Sequence, residues 1–457
     1  MQIVLIVAVV ATLIFAESAP SSPIAGPLGM RLALVVGAMA CVPLFALGIQ
    51  TLVLHRLRHD VADVHRIWRF YRRLRIVHLI LWLTAIGVVA YGLQWPRIVQ
   101  TNWHLSQIPL VDDLLILLPV LLPLVLSWAV FYRVDRTMLG GRGQMASLRE
   151  YLDLHLRHYL AIAMVPILSM LAIQDLIGLL FPKLLRSDSM VIVLVLTMLL
   201  LLALFPLLLR CVWRTSPLPP GSLRKRLEAM ARDHGLKVRD ILVWQTGSMV
   251  ANAAVAGFTR RFRYVFLTDG LIDLLDEEQI VAVFSHELAH IRHRHLWLRA
   301  AAMLIPLSAG LFVFYTFPEV IRSLERAVAT VGLDIGGPLG LPALLLLVLY
   351  VLTFFGSYSR CLEHEADLSA CRAMPPEIGV SALCSALEQL AAAGGNRGAR
   401  GWQHASVARR VDFLKSTERE PKIGLTFYRR VRLYGGIVVV LSLSPLIGLL
   451  LFSYLLG

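Results

Sequence analysis

The sequence predicts a multipass α-helical membrane protein that carries a small α+β domain on the cytoplasmic side of the bilayer. Three observations lead there. The 457 residues are 57% hydrophobic and only 16% charged, with a positive mean hydropathy, outside the range of a water-soluble globular chain. The apolar residues gather in runs close to the ~20 that a helix needs to cross hydrocarbon. Finally, the arginines that bring the formal charge to +14 cluster in alternate segments between those runs, as the positive-inside rule requires. The basic balance therefore reads as topology, and nucleic acid is excluded as a partner.

The first run, 2–16, is short and is followed by Glu17 and a Ser/Pro-rich stretch, so it reads equally as a signal peptide or as an uncleaved first helix. Five full-length candidates follow at 32–54, 76–95, 110–132, 159–181 and 190–212; after a long polar insertion come 300–317, 339–355 and 435–456. Segment 55–75 holds Arg56, Arg58, Arg66, Arg69, Arg72, Arg73 and Arg75, whereas 96–109 holds Arg97 alone, so the former is cytoplasmic and the other loops follow by alternation. Asp112, Asp113, Gln174 and Asp175 fall near span ends, where water reaches them. The five cysteines lack CxxC spacing and imply no disulfide framework.

These boundaries predict an N-terminal membrane region of about six spans (1–213), a first cytoplasmic part (214–299), a membrane hairpin (300–358), a second cytoplasmic part (359–432) and a last span (433–457). Within the insertion, SPLPPGS reads as a linker and LRKRLEAMARDHGL as an amphipathic helix. ILVWQ and RYVFLTDG read as a strand pair. A further helix is expected to begin near Asp276, with Glu277 and Glu278 in its first turn.

That last helix contains HELAH. His286 and His290, four residues apart, place two imidazoles on one helical face, with Glu287 beside them. This arrangement offers two zinc ligands and a general base that takes the proton of an attacking water and passes it to a leaving amine. The spans 300–317 and 339–355 are two, an even number, so the chain returns to the same side of the membrane at SRCLEHEADLSA. Glu363 ranks first as third ligand, with Glu365 and His364 as rivals, leaving the fourth position for water; Asp367, one turn on, would orient a ligand histidine. His293 and His295, in IRHRH, read as a basic collar at the lipid headgroups. One Zn2+ per chain is expected.

Taken together, NAAVAG at 252–257, HELAH, SRCLEHEAD from Ser359 and QHASVARRV resemble, in order, the motifs of the HtpX and CAAX-prenyl endopeptidase group of integral-membrane gluzincins, over about 217–414. The resemblance implies a zincin-like metallopeptidase domain with His286, His290 and Glu363 as zinc ligands and Glu287 as base. It also implies that Asn252 lies by an edge strand that pairs with extended substrate, and that His404 and Arg410 organise the cleft and stabilise the oxyanion. Ala405 stands where the family usually has proline, and NAAVAG lacks the family's phenylalanine. The function this implies is hydrolysis of peptide bonds in membrane or membrane-associated proteins. The expected location is the bacterial inner membrane, with the active site facing the cytoplasm and the lipid bilayer and a protein or peptide substrate as partners. Two other readings compete. One is a signal-transducing antirepressor metallopeptidase, which usually needs an outward sensor domain that these short outward loops lack. The other is a catalytically inactive membrane scaffold, against which the complete ligand and base set argues.

Overall fold

In the computed structural model the described residues are 2–17, 27–59, 64–103, 108–139, 147–185, 189–330, 340–393 and 405–456. Their helices include eight long and apolar enough to cross a membrane, at Leu28–His59, Arg66–Gly92, Val111–Met138, Leu148–Leu180, Val193–Val212, His295–Thr316, Pro342–Arg372 and Pro421–Phe452. Each overlaps one of the full-length runs read from hydropathy, because a run of side chains that water rejects stays helical to satisfy its own backbone. The chain is thus a multipass helical membrane protein, with one small sheet among the described residues. It divides into two compact units, Met1–Leu202 with Glu325–Leu344, and Ala203–Leu324 with Leu345–Gly457.

In chain order the first unit begins with α1 (Gln2–Glu17), α2 (Leu28–His59), α3 (Val64–Gly87), α4 (Trp95–Asn102) and α5 (Val111–Leu139). It continues through α6 (Leu148–His155), α7 (Ile162–Leu180) and α8 (Pro182–Leu185) to α9 (Ser189–Val212), whose C-terminal part belongs to the second unit. Several polar side chains inside this bundle are paired, as a low-dielectric interior favours. Trp82 Nε1 donates to the Val120 carbonyl at 3.0 Å, and Tyr71 and Tyr151 both donate to the carboxylate of Asp135, at 2.9 and 2.6 Å.

In the second unit a four-stranded sheet of order β1-β2-β4-β3 is built from β1 (Thr215–Pro217), β2 (Asp240–Trp244), β3 (Ala253–Ala256) and β4 (Tyr264–Thr268). The two expected strands are β2 and β4, and they are parallel neighbours. The proline-rich segment read as a linker contributes the antiparallel β1 instead, because Pro217 at a sheet edge costs no ladder bond. β3 is the other edge and runs antiparallel to β4. It ends at Gly257, where φ is +114° and an added Cβ would sit 2.2 Å from the Phe262 carbonyl oxygen, so only glycine closes that turn.

Against the sheet pack α10 (Ser222–Asp233), α11 (Asp269–Leu274) and α12 (Glu277–Arg292). α12 starts where its residues dictate: the Asp276 side chain accepts from Gln279 N at 2.9 Å, and Gln279 Oε1 accepts from Asp276 N at 3.1 Å, closing a capping box. The chain then reverses at Arg294, which takes a left-handed φ of 57°, and enters α13 (His295–Thr316). After α14 (Pro318–Thr330), an amphipathic helix that hydropathy of spans did not predict, α15 (Gly340–Tyr350) runs through one π turn, Val351–Phe355, into α16 (Gly356–Arg372). The returning span therefore continues unbroken into the polar SRCLEHEAD segment. Finally α17 (Pro376–Ala393), α18 (Val407–Arg419) and α19 (Pro421–Leu456) complete the unit. Its core joins Val265 and Leu267 of the sheet to Phe284 and Leu288 of α12, Leu383 and Leu387 of α17 and Leu414 of α18.

Candidate metal centre

α12 and α16 lie side by side in the core and turn one polar face toward each other. His286 and His290 leave α12 on the same side, with Nε2 atoms 3.2 Å apart and rings crossed at 87°. Glu363 of α16 reaches both, Oε2 lying 3.5 Å from His286 Nε2 and Oε1 3.5 Å from His290 Nε2. The three groups are 7%, 6% and 1% exposed. Ligand atoms held 2.0–2.2 Å from one tetrahedral ion are separated by about 3.4 Å. The observed 3.2 and 3.5 Å spacings of two ring nitrogens and a carboxylate fit that figure, and the donor set suits zinc.

A buried charge survives only where its surroundings answer it, and each donor has such an answer. His286 Nδ1 lies 2.9 Å from Asp367 Oδ1. Asp367, fully buried one turn after Glu363, also accepts from Arg410 of α18, at 2.8 Å from Nε and again from Nη2. Burial by itself pushes the His286 imidazole down, but Asp367 and Glu363 outweigh it and lift the ring to about 9. The site thus stabilises positive charge where His286 meets Glu363. His290 faces no such carboxylate pair, and burial holds it well below the ordinary histidine range. Arg410 is pushed up against the cost of burial by its pairing with Asp367.

His290 Nδ1 is turned the other way, 2.7 Å from His295 Nδ1, and His295 Nε2 is 3.1 Å from Glu365 Oε2. His295 is fully buried. The headgroup-collar reading of His293 and His295 is therefore corrected. The left-handed Arg294 folds the chain back so that both rings point inward, His293 Nε2 lying 3.1 Å from Ser369 Oγ. Glu365, the rival third ligand, faces His293 and His295, at 3.6 and 3.1 Å, while Glu363 alone of the two faces His286 and His290. Sequence reasoning also missed Arg299, whose Nη2 donates to Glu363 Oε1 at 2.7 Å. The available signal was spacing: His295 and Arg299 share a face of α13 at i and i+4.

A cavity of about 350 Å³ opens onto this cluster. Glu287, half-buried, lines it beside the two histidines, and Arg410 borders it. Asn252 and β3 also line it, Asn252 being held by Thr268 Oγ1, which accepts from Asn252 N at 2.9 Å and donates to Asn252 O at 3.0 Å. Val283, Leu383 and Leu387 make one wall apolar. His404 lies outside the described residues.

Residues 217–418 match peptidase family M48. A protease HtpX homologue of Thermoplasma acidophilum is 27% identical over 198 residues, covering 42% of this chain and 59% of that protein. Another, from Aeropyrum pernix, is 34% identical over 108 residues, covering 23% of this chain and 33% of that protein. The CAAX prenyl protease 1 homologue of Arabidopsis thaliana is 30% identical over 100 residues, covering 21% and 24%. The chain thus spans 59% or less of the length of these curated relatives. Among solved structures, Ste24p of S. mikatae superposes with a TM-score of 0.50 at 17% identity, covering 85% of this chain and 99% of that one, which is a likeness of fold.

Proposed function

We propose that the chain, whose residues 217–418 match peptidase family M48 and which is similar to HtpX and CAAX prenyl proteases, is a zinc metalloendopeptidase that cleaves membrane or membrane-associated proteins. The observation that carries this reading is the convergence of His286, His290 and Glu363 in one buried cluster that opens beside Glu287 onto a cavity edged by a sheet strand. When bound there, zinc supplies Lewis-acid polarisation and lowers the pKa of a coordinated water.

The chain's own residues do the rest. Glu287 accepts the proton of the attacking water and delivers it to the leaving amine. The edge strand β3, with Asn252 at its start, offers backbone groups to an extended substrate, which adds as a further strand. Arg410, held by Asp367 at the cavity wall, contributes positive charge toward the developing oxyanion, with His404 assigned to the same task by its place in the motif. Asp367 and His295 fix the orientation of the two ligand rings through the nitrogens that zinc does not use. The apolar wall accepts an apolar substrate side chain next to the scissile bond. We place the protein in the bacterial inner membrane, with this site at the cytoplasmic face, where the arginine-rich segments lie.

The test is metal content of the detergent-purified protein beside Glu363→Ala and Glu287→Gln, with casein cleavage followed in parallel. About one zinc per chain is expected in the parent. It should be lost in Glu363→Ala, and retained without activity in Glu287→Gln. A parent protein that takes up no zinc would sink the peptidase reading and leave a membrane scaffold.

A further inference from the structure

The first unit carries a second and larger cavity, of about 1160 Å³, along the face that α2 and α5 share. Its walls are apolar, with Leu44, Leu47 and Leu54 from α2 and Leu126 from α5. At one end stand Arg58, in the last turn of α2, and Arg133 and Arg136 of α5, all three exposed. Among the described residues no acidic side chain lines it. Asp135, the acid nearest in sequence, is turned away to Tyr71, Arg75 and Tyr151.

Among the leucines lies Gln50, roughly 12 Å along α2 from Arg58 at 1.5 Å per residue. It lines the cavity and is 7% exposed. From Ala40 to Arg58 the lining of α2 extends for roughly 27 Å at 1.5 Å per residue. One leaflet of hydrocarbon is about 15 Å deep, so the groove accommodates an acyl chain and still has its basic end at headgroup level.

We propose that this groove is a binding site for an anionic phospholipid, with an acyl chain along the leucine face and the phosphate among Arg58, Arg133 and Arg136. A zwitterionic lipid offers the same chain but cancels the phosphate charge, so the arginines discriminate between the two. Three arginines at a membrane surface predict a preference on the order of tenfold to a hundredfold at low ionic strength. Nothing in this site depends on the peptidase chemistry.

The experiment is native mass spectrometry of the full-length protein in a mild detergent, titrated with phosphatidylglycerol and with phosphatidylcholine of identical acyl chains. The parent should retain phosphatidylglycerol by that margin. Arg58→Gln/Arg133→Gln/Arg136→Gln should lower its retention to the level of phosphatidylcholine. Leu47→Trp, which fills the groove and leaves every charge in place, should reduce both lipids, and it decides the matter if the triple variant does not fold. Arg69→Gln/Arg73→Gln removes two exposed arginines of α3 outside the groove and should change nothing. Equal retention of the two lipids by the parent overturns the proposal, as does retention unchanged in both groove variants. A loss as large in the Arg69/Arg73 control overturns it in favour of a general basic surface, and competition by inorganic phosphate in favour of a phosphate site.

Discussion

At the scale of single residues, the centre is organised by pairs that lie one helical turn apart and on different helices. Glu363 and Asp367 both project from α16, and His286 meets the first with one ring nitrogen and the second with the other. The same logic repeats at His290, where the outer nitrogen meets His295 and the chain of contacts ends at Glu365. Groups in this outer position typically contribute about 10- to 100-fold to metal affinity. His295→Ala is therefore expected to weaken zinc binding by about that factor in competition with a chelator, while Glu287→Gln leaves it unchanged. A His295→Ala protein that holds zinc as tightly as the parent would reduce His295 to a packing residue. The ligand pair His286 and His290 was legible because its spacing is a property of one helix. His295 was not, since its direction depends on the left-handed turn at Arg294, and an Arg/His alternation before an apolar run also describes a headgroup collar.

At the scale of elements, the position of α12 is overdetermined, with a capping box at one end, the sheet on one side and α16 and α17 on the other. The closeness of α16 to α17 rests on Gly379, where an added Cβ would come 2.4 Å from the Cys371 carbonyl oxygen. Backbone does not yield as a flexible side chain does, so Gly379→Ala should cost about 1–3 kcal/mol by forcing the helices apart. Gly310 of α13 has nothing within 4 Å of an added Cβ, and Gly310→Ala should leave stability unchanged or slightly raised. Thermal unfolding of the two variants in detergent separates them, and equal midpoints would show that the α16–α17 contact is not tight. The sheet illustrates what local pattern misses. β2 and β4 are β-branched and aromatic and read as strands, whereas β1 is Thr-Ser-Pro and β3 is Ala-Ala-Val-Ala, and these are strands only because they lie on the edges of the first two.

At the scale of the whole molecule, membrane topology is the condition on which the site depends. The chain leaves His290 through α13 and returns through α15 to Glu363, both in helices long and apolar enough to cross a membrane, and two crossings would bring the ligands to one face. In a cysteine-free background, single cysteines replacing the exposed Lys183 and Arg409 should react with an impermeant maleimide from opposite sides of sealed inverted vesicles, Arg409→Cys from the cytoplasmic side. Labelling of both from one side would break the alternation of spans. Those spans, their arginine-biased loops, the class of fold and the HELAH pair were determined by the sequence alone, because hydropathy, charge bias and i,i+4 spacing are each local to a single segment. Which carboxylate meets the histidines, that Asp367 is shared between His286 and Arg410, that His295 is buried, and that Gln50 faces a groove were decided only by tertiary structure. Each of those is a meeting between segments far apart in the chain, set by how helices rotate about their axes when their apolar faces pack.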